Sequence, residues 1–171
     1  MSYLVAVGAA NPVGVSFNET LKGFGVEGGS ENDTIADFEA AYEQGKKNNQ
    51  TLGFGLYVSI PDLSDFLQDP KRQGVCAGYA QSKGLTPDAG AEVEVGGRIN
   101  IFDGGVLPTH ELRMEYTLPF IGTDGYNYTL TGVKHIPSND CIHLASEVTT
   151  LYVHIREGYD NPHGKIVRKG V

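Results

Sequence analysis

Residues 111–136 read ELRMEYTLPFIGTDGYNYTLTGVKHI. The first run alternates, with Leu112, Met114, Tyr116, Leu118 and Phe120 in one phase and Arg113, Glu115 and Thr117 in the other. The second run is rich in Tyr, Thr and Val, and Thr123-Asp124-Gly125 lies between the two. Alternation on both sides of an Asp-Gly is a strong short-range hairpin signal. The stretch predicts an antiparallel all-β protein whose strands each bury one face.

The same reading extends outward. Val15–Gly25 alternates through Phe17, Glu19 and Leu21, and predicts a strand. Thr51–Ile60 alternates through Leu52, Phe54, Leu56, Val58 and Ile60. Gln73–Ser82, Ala91–Phe102 (with a bulge at Gly96-Gly97) and Ser146–Ile155 complete the clear strands, and Tyr3–Val7 offers a further one. Thr34–Lys47 is the one long helix, with Thr34 as N-cap and Asp37 three residues on. Its apolar stripe reads Ile35, Phe38, Ala41, Tyr42, and it should cap a barrel mouth or lie on a sheet face. Asp62–Leu67 reads as a short helical turn.

Seven or eight strands with mostly short connections predict a closed or nearly closed β-barrel, which removes exposed edges; a β-sandwich is the alternative. No repeat or linker divides the chain, so residues 1–171 read as one domain, with 1–14 and 158–171 peripheral.

Composition narrows the partners. The chain has 171 residues, 40% hydrophobic and 20% charged, with a formal net charge of −8. That charge repels nucleic acid and anionic lipid surfaces. No apolar run is long enough for a transmembrane segment. The start carries no basic region before Lys22, which predicts a cytoplasmic protein. Sequons at Asn18, Asn32, Asn49 and Asn127 leave secretion open. Cys76 and Cys141 read as free, buried thiols.

Several short motifs resemble a known family. Phe17–Gly23 is similar to F-x-E-T-M-x-G, and Asp62–Pro70 to D-L-x-x-F-L-x-D-P. Ile99–Phe102, Leu112–Tyr116, Leu130–Lys134 and Val148–Tyr152 continue the series in order. The series resembles an accessory β-domain found beside cholesterol-oxidase-like flavin oxidoreductases and some lipid hydrolases. That resemblance implies lipid or sterol chemistry and a partner oxidoreductase, and it supplies no catalytic residues. The flavin-binding glycine fingerprint is absent from this chain, and no cofactor is expected.

Candidate chemistry comes from two sets. Arg113, Glu115, His135 and Glu147, with His154, form an acid–base set that would act only inside a polar barrel; its bland reading is a solvated outer face. Phe54, Leu56, Tyr79, Phe102, Met114, Tyr116, Tyr128 and Tyr152 form an aromatic and apolar set that would line a pocket if all point inward. No spacing matches a metal site, and the acidic loop around Glu27, Glu31, Asp33 and Asp37 reads as solvated. No Gly-x-Ser-x-Gly is present. The expected function is binding of an apolar ligand of lipid, sterol or polyketide-like type. A cofactor-free cyclase or isomerase is the alternative, and an accessory protein docking through Phe38 and Tyr42, or a homo-oligomer, the third.

Overall fold

The computed structural model describes residues 12–31, 33–103, 111–137 and 150–171, of which 102–103, 111–112 and 136–137 are described by their backbone alone. The described residues form nine strands and two helices, in the order β1 (Val15–Glu27), α1 (Ile35–Lys47), β2 (Thr51–Ile60), α2 (Leu63–Gln68), β3 (Gln73–Ser82), β4 (Ala91–Glu92), β5 (Arg98–Asp103), β6 (Glu111–Ile121), β7 (Asn127–Pro137), β8 (Tyr152–Glu157) and β9 (Ile166–Gly170). Eight strands close a ring in the order β2-β1-β9-β8-β7-β6-β5-β3, and β3 pairs with β2 to complete it. All these pairings are antiparallel, and β4 lies outside the ring on β3. The fold is therefore a closed eight-stranded barrel rather than a sandwich.

The stagger follows from the register. Val26 is opposite Lys169, and from there the line runs through His154, Thr131, Thr117, Arg98, Val75 and Ser59. It returns to β1 at Ser16, ten residues from its start. A stagger of this kind requires strands tilted by roughly 35–45°.

The hairpin has the expected form. Leu112 to Ile121 pair with Ile136 to Asn127, and Met114, Tyr116, Leu118 and Phe120 point inward and are buried. In the turn, Gly125 adopts φ +81°, and Asp124 Oδ1 accepts from the Tyr126 N–H at 3.1 Å. The core continues with Phe54, Leu56, Val58, Ile99, Leu130, Val153 and Ile155.

Three expectations are corrected. Ala91–Phe102 is two strands, not one bulged strand. A turn closed by the Gly97 N–H on the Glu94 carbonyl separates them, and Val93 bridges to Phe120. Of the strand read as Ser146–Ile155, residues 146–149 lie outside those described, residues 150–151 are not strand, and β8 runs past Ile155 to Glu157; the strand read around Tyr3–Val7 also lies outside the described residues. Residues 158–171 are not a peripheral tail, since β9 is the stave between β8 and β1. Its polar letters concealed it: Lys169 is only 2% exposed, its ammonium lying over the Phe38 ring at 4.3 Å.

The long helix lies on the outer wall against β1 and β9. Thr34 caps it, accepting from the Asp37 N–H at 3.2 Å. The line it turns inward is Phe38, Ala41 and Gly45, while Ile35 is 60% exposed. The shift comes from Gly45, whose missing side chain lets the helix backbone meet Gly25 of β1. Below the helix, burial above all, then the charges of Arg156 and Lys169, holds the His154 imidazole down to about 4 against the pull of Asp33. The acidic loop is solvated, as expected, with Glu31 72% and Asp33 60% exposed, and it also clamps the buried cations below it. Glu31 takes two 3.0 Å hydrogen bonds from Arg156, and Asp33 lies 3.3 Å from His154 and 3.8 Å from Lys169.

Two measurements follow from this packing. Gly→Ala in a helix interior ordinarily stabilises by about 1 kcal/mol. In Gly45→Ala the new Cβ would sit 2.3 Å from the Gly25 carbonyl oxygen, so thermal denaturation should show a lower Tm instead. The depressed His154 pKa makes the unfolded chain the better proton acceptor between about 4 and 6.5. Stability present above pH 6.5 should therefore fall by roughly 3 kcal/mol on acidification to about pH 4, and urea titrations of His154→Phe should lack that part of the slope.

Candidate functional site

One inward position on β1 breaks the apolar rule. Phe17, Glu19 and Leu21 share the face turned into the barrel, so Glu19 is a carboxylate among apolar side chains. Two donors converge on it. The Tyr116 hydroxyl of β6 donates to Oε2 at 2.7 Å, and the Lys134 ammonium of β7 donates to Oε1 at 2.6 Å. Tyr116 is 1% exposed and Lys134 4%. Lys134 breaks the same rule on β7, where it follows Tyr128, Leu130 and Gly132 in the inward phase. The cluster joins β1 to the adjacent pair β6 and β7 across the ring.

The electrostatics follow from enclosure. Burial, then the charge and hydrogen bond of Glu19, holds the Tyr116 hydroxyl well above the usual tyrosine range, so it remains a donor at neutral pH. Cys76, buried on β3, has its thiol pushed up to about 12 by burial and by the Glu19 charge, and it stays protonated. The cluster is an ion pair plus a phenol, each carboxylate oxygen engaged by one donor.

Beside it, between β1 and the start of β8, lies a cavity of about 240 Å³. Leu21, Phe54, Leu130, Leu151 and Val153 line it, and Tyr42 of α1 stands at its rim. Leu21 is the next inward residue after Glu19, and the Phe54 ring lies 5.3 Å from that of Tyr116. Glu19, Tyr116 and Lys134 do not themselves line the cavity, and Phe54 is the lining ring that packs on the cluster.

Of the residues read from sequence as pocket-lining, Phe54, Leu56, Met114, Tyr116 and Tyr128 point into the barrel. Tyr79 does not. Its phase on β3 is the outer one, because Cys76 and Ala80 take the inner, and its ring covers Gly55 from outside. Tyr152 is also outside, because Leu151, Val153 and Ile155 are the buried phase; it packs on Phe38 at 5.1 Å. The Phe102 side chain lies outside those described.

The acid–base set is not assembled inside. Arg113 and Glu115 pair with each other on the outer wall of β6, with His135 directly across from Arg113 on β7. Met114 and Tyr116 hold the inner phase there, which leaves the charged alternates to solvent. Glu147 and Cys141 lie outside the described residues. The helix face around Phe38, read as a docking surface, is turned onto the barrel, Phe38 being 6% exposed.

The sequence reading missed Glu19 and Lys134. The signal was a charge standing in the apolar phase of a strand, visible at Glu19 between Phe17 and Leu21. Among the described residues, no group of three or more His, Cys, Asp or Glu could hold a metal, and no helix is long and apolar enough to cross a membrane.

Lys134→Met should cost about 3 kcal/mol in urea denaturation, because it leaves the Glu19 carboxylate buried without its cation. The double variant Glu19→Leu/Lys134→Met should recover most of that loss, giving a large coupling energy in the cycle. No family model, curated protein or solved structure matches the chain.

Proposed function

We propose that the barrel binds an apolar small molecule, of lipid, sterol or polyketide-like character, whose one polar group meets Glu19, Tyr116 and Lys134. The observation that carries this reading is the ion cluster itself, held at 2.6–2.7 Å in an otherwise apolar interior beside a cavity. A buried ion pair is no better for stability than well-packed apolar side chains of the same volume. Its use lies in what it offers a guest: a hydroxyl, an ammonium and a carboxylate at fixed points in an apolar space. A ligand oxygen would take the Tyr116 or Lys134 donor in exchange for Glu19, and the apolar body would lie against Phe54, Leu130 and Leu151.

A second reading, a cofactor-free cyclase or isomerase, is favoured by the 2.7 Å contact between a carboxylate and a phenol. In a low-dielectric site Glu19 would accept a proton from the substrate while Tyr116 or Lys134 stabilises the negative charge that develops on a substrate oxygen. Return of the proton to another atom completes an isomerisation with no external reagent. The resemblance to an oxidoreductase-associated domain would add a partner enzyme that makes or consumes the same apolar molecule.

Native mass spectrometry of the purified chain tests the binding reading. A stoichiometric apolar mass that leaves on denaturation, and is lost in Leu130→Trp, is the expected result. Bare protein that takes up no apolar dye would overturn it. Glu19→Gln then separates the two readings, since a binder keeps its ligand whereas an enzyme keeps its ligand and loses turnover.

A further inference from the structure

Both carboxylate oxygens of Glu19 are in use, Oε2 by the Tyr116 hydroxyl and Oε1 by the Lys134 ammonium. A guest that only accepts a hydrogen bond must draw one of these donors away, and a carboxylate in an apolar interior loses by that exchange. A guest that bonds covalently to the Lys134 nitrogen avoids the loss, provided the nitrogen stays positive. Imine formation meets that condition, because a lysine amine and a carbonyl compound give a protonated imine, which is still a cation.

The cluster is reached along β1. Its inward residues Phe17, Glu19 and Leu21 are half-buried, whereas Met114, Tyr116 and Leu118 across the barrel are buried. The Glu19 side chain keeps 15% of its surface accessible, and that of Lys134 keeps 5%. Leu21 carries the same line into the apolar cavity of Leu130, Leu151 and Val153. A chain-like guest lying along β1 therefore has apolar side chains for its body and the Lys134 nitrogen at its end. Lys169, the other buried lysine, faces the outer wall with its ammonium over the Phe38 ring.

We propose that Lys134 is an imine-forming lysine and that the interior takes an apolar aldehyde, with Glu19 as the counter-ion of the imine nitrogen. The proposal rests on the reading of the barrel as a binder of apolar molecules, and it names the functional group of the guest.

The atoms balance with no external reagent. The Lys134 ammonium passes one proton to Glu19 Oε1, 2.6 Å away, which removes both buried charges. The nitrogen lone pair then bonds to the carbonyl carbon, and the C=O π pair moves onto oxygen. The Tyr116 hydroxyl, 2.7 Å from Glu19 Oε2, is the donor that oxygen meets. A proton shifts from nitrogen to the oxygen and gives a carbinolamine. Glu19 returns its proton to the new hydroxyl, the C–O bond breaks, water leaves, and the nitrogen lone pair closes the C=N bond. Nitrogen is again positive and Glu19 again negative. The net change is ammonium plus aldehyde to protonated imine plus water. A ketone would press a second substituent against the enclosed nitrogen, which favours the aldehyde.

The test incubates the full chain with equimolar decanal, reduces the product with cyanoborohydride, and maps it by intact and peptide mass spectrometry. One alkyl group per chain is expected, on Lys134 and at least about tenfold more abundant there than on any other lysine. Lys134→Arg keeps a cation beside Glu19 and should lose the selective adduct. An adduct spread over exposed lysines, or none on Lys134, overturns the proposal; the unaltered chain decides this even where the variant fails to fold. Native mass spectrometry with decanol, which has the same chain and no carbonyl, separates the two levels. Decanol bound with Lys134 unmodified overturns the aldehyde proposal and leaves the binding reading standing. No uptake of decanol and no adduct on Lys134 overturns both.

Discussion

The pairing of β1 with β9, Gly25 to Glu27 against Gly170 to Arg168, is the joint on which the closed barrel depends. It has three residue pairs, whereas the β6–β7 hairpin has eleven. So short a ladder carries little stability of its own. It holds because other contacts press the two strands together. The helix lies across them with Gly45 against Gly25 and Phe38 over Lys169, and Glu27 lies 3.3 Å from Arg168 across the joint. A strand of Ile-Val-Arg-Lys-Gly can serve as a stave because its cations find an aromatic ring and carboxylates where solvent would otherwise be needed.

Closure also decides where charge can reside. Once the ring is complete, each strand has one phase inside and one outside, and a residue's chemistry depends on which it occupies. Arg113 and Glu115 fall outside, where water screens their pair. Glu19 and Lys134 fall inside, 115 residues apart in the chain, and meet at 2.6 Å. The outer pair is worth little to stability, while breaking the inner one exposes a buried charge to an apolar core. The inner cluster therefore makes the interior charged at one point in an apolar core.

The outer wall under α1 follows the same logic. His154, Arg156 and Lys169 are buried by the helix and by the loop before it, and the acidic side chains of that loop come down to meet all three. Compensation is partial for both: Arg156 donates twice to Glu31 while its Nε has no hydrogen-bond partner among the described residues, and His154 Nε2 lies 3.3 Å from Asp33 without one. Burial of a neutral imidazole is the cheaper state, which is why its proton is lost at ordinary pH.

Much of the architecture was legible locally. The alternation of Leu52 to Ile60 and of Gln73 to Ser82 marks β2 and β3 to the residue, and Thr34 marks the start of α1. Period-two patterns, turn residues and caps act over a few residues, so the chain itself determined an antiparallel β protein with one helix on it. The inner face of a strand with apolar residues on both sides was not legible, as Tyr79 and Tyr152 show; there the neighbours' bulk decides. Nor was the meeting of Glu19 with Tyr116 and Lys134, which needs the ten-residue stagger of a closed ring to bring distant strands into one interior. Local sequence determined the staves, and only the tertiary structure, through the geometry of closure, decided which side chains face one another across the barrel.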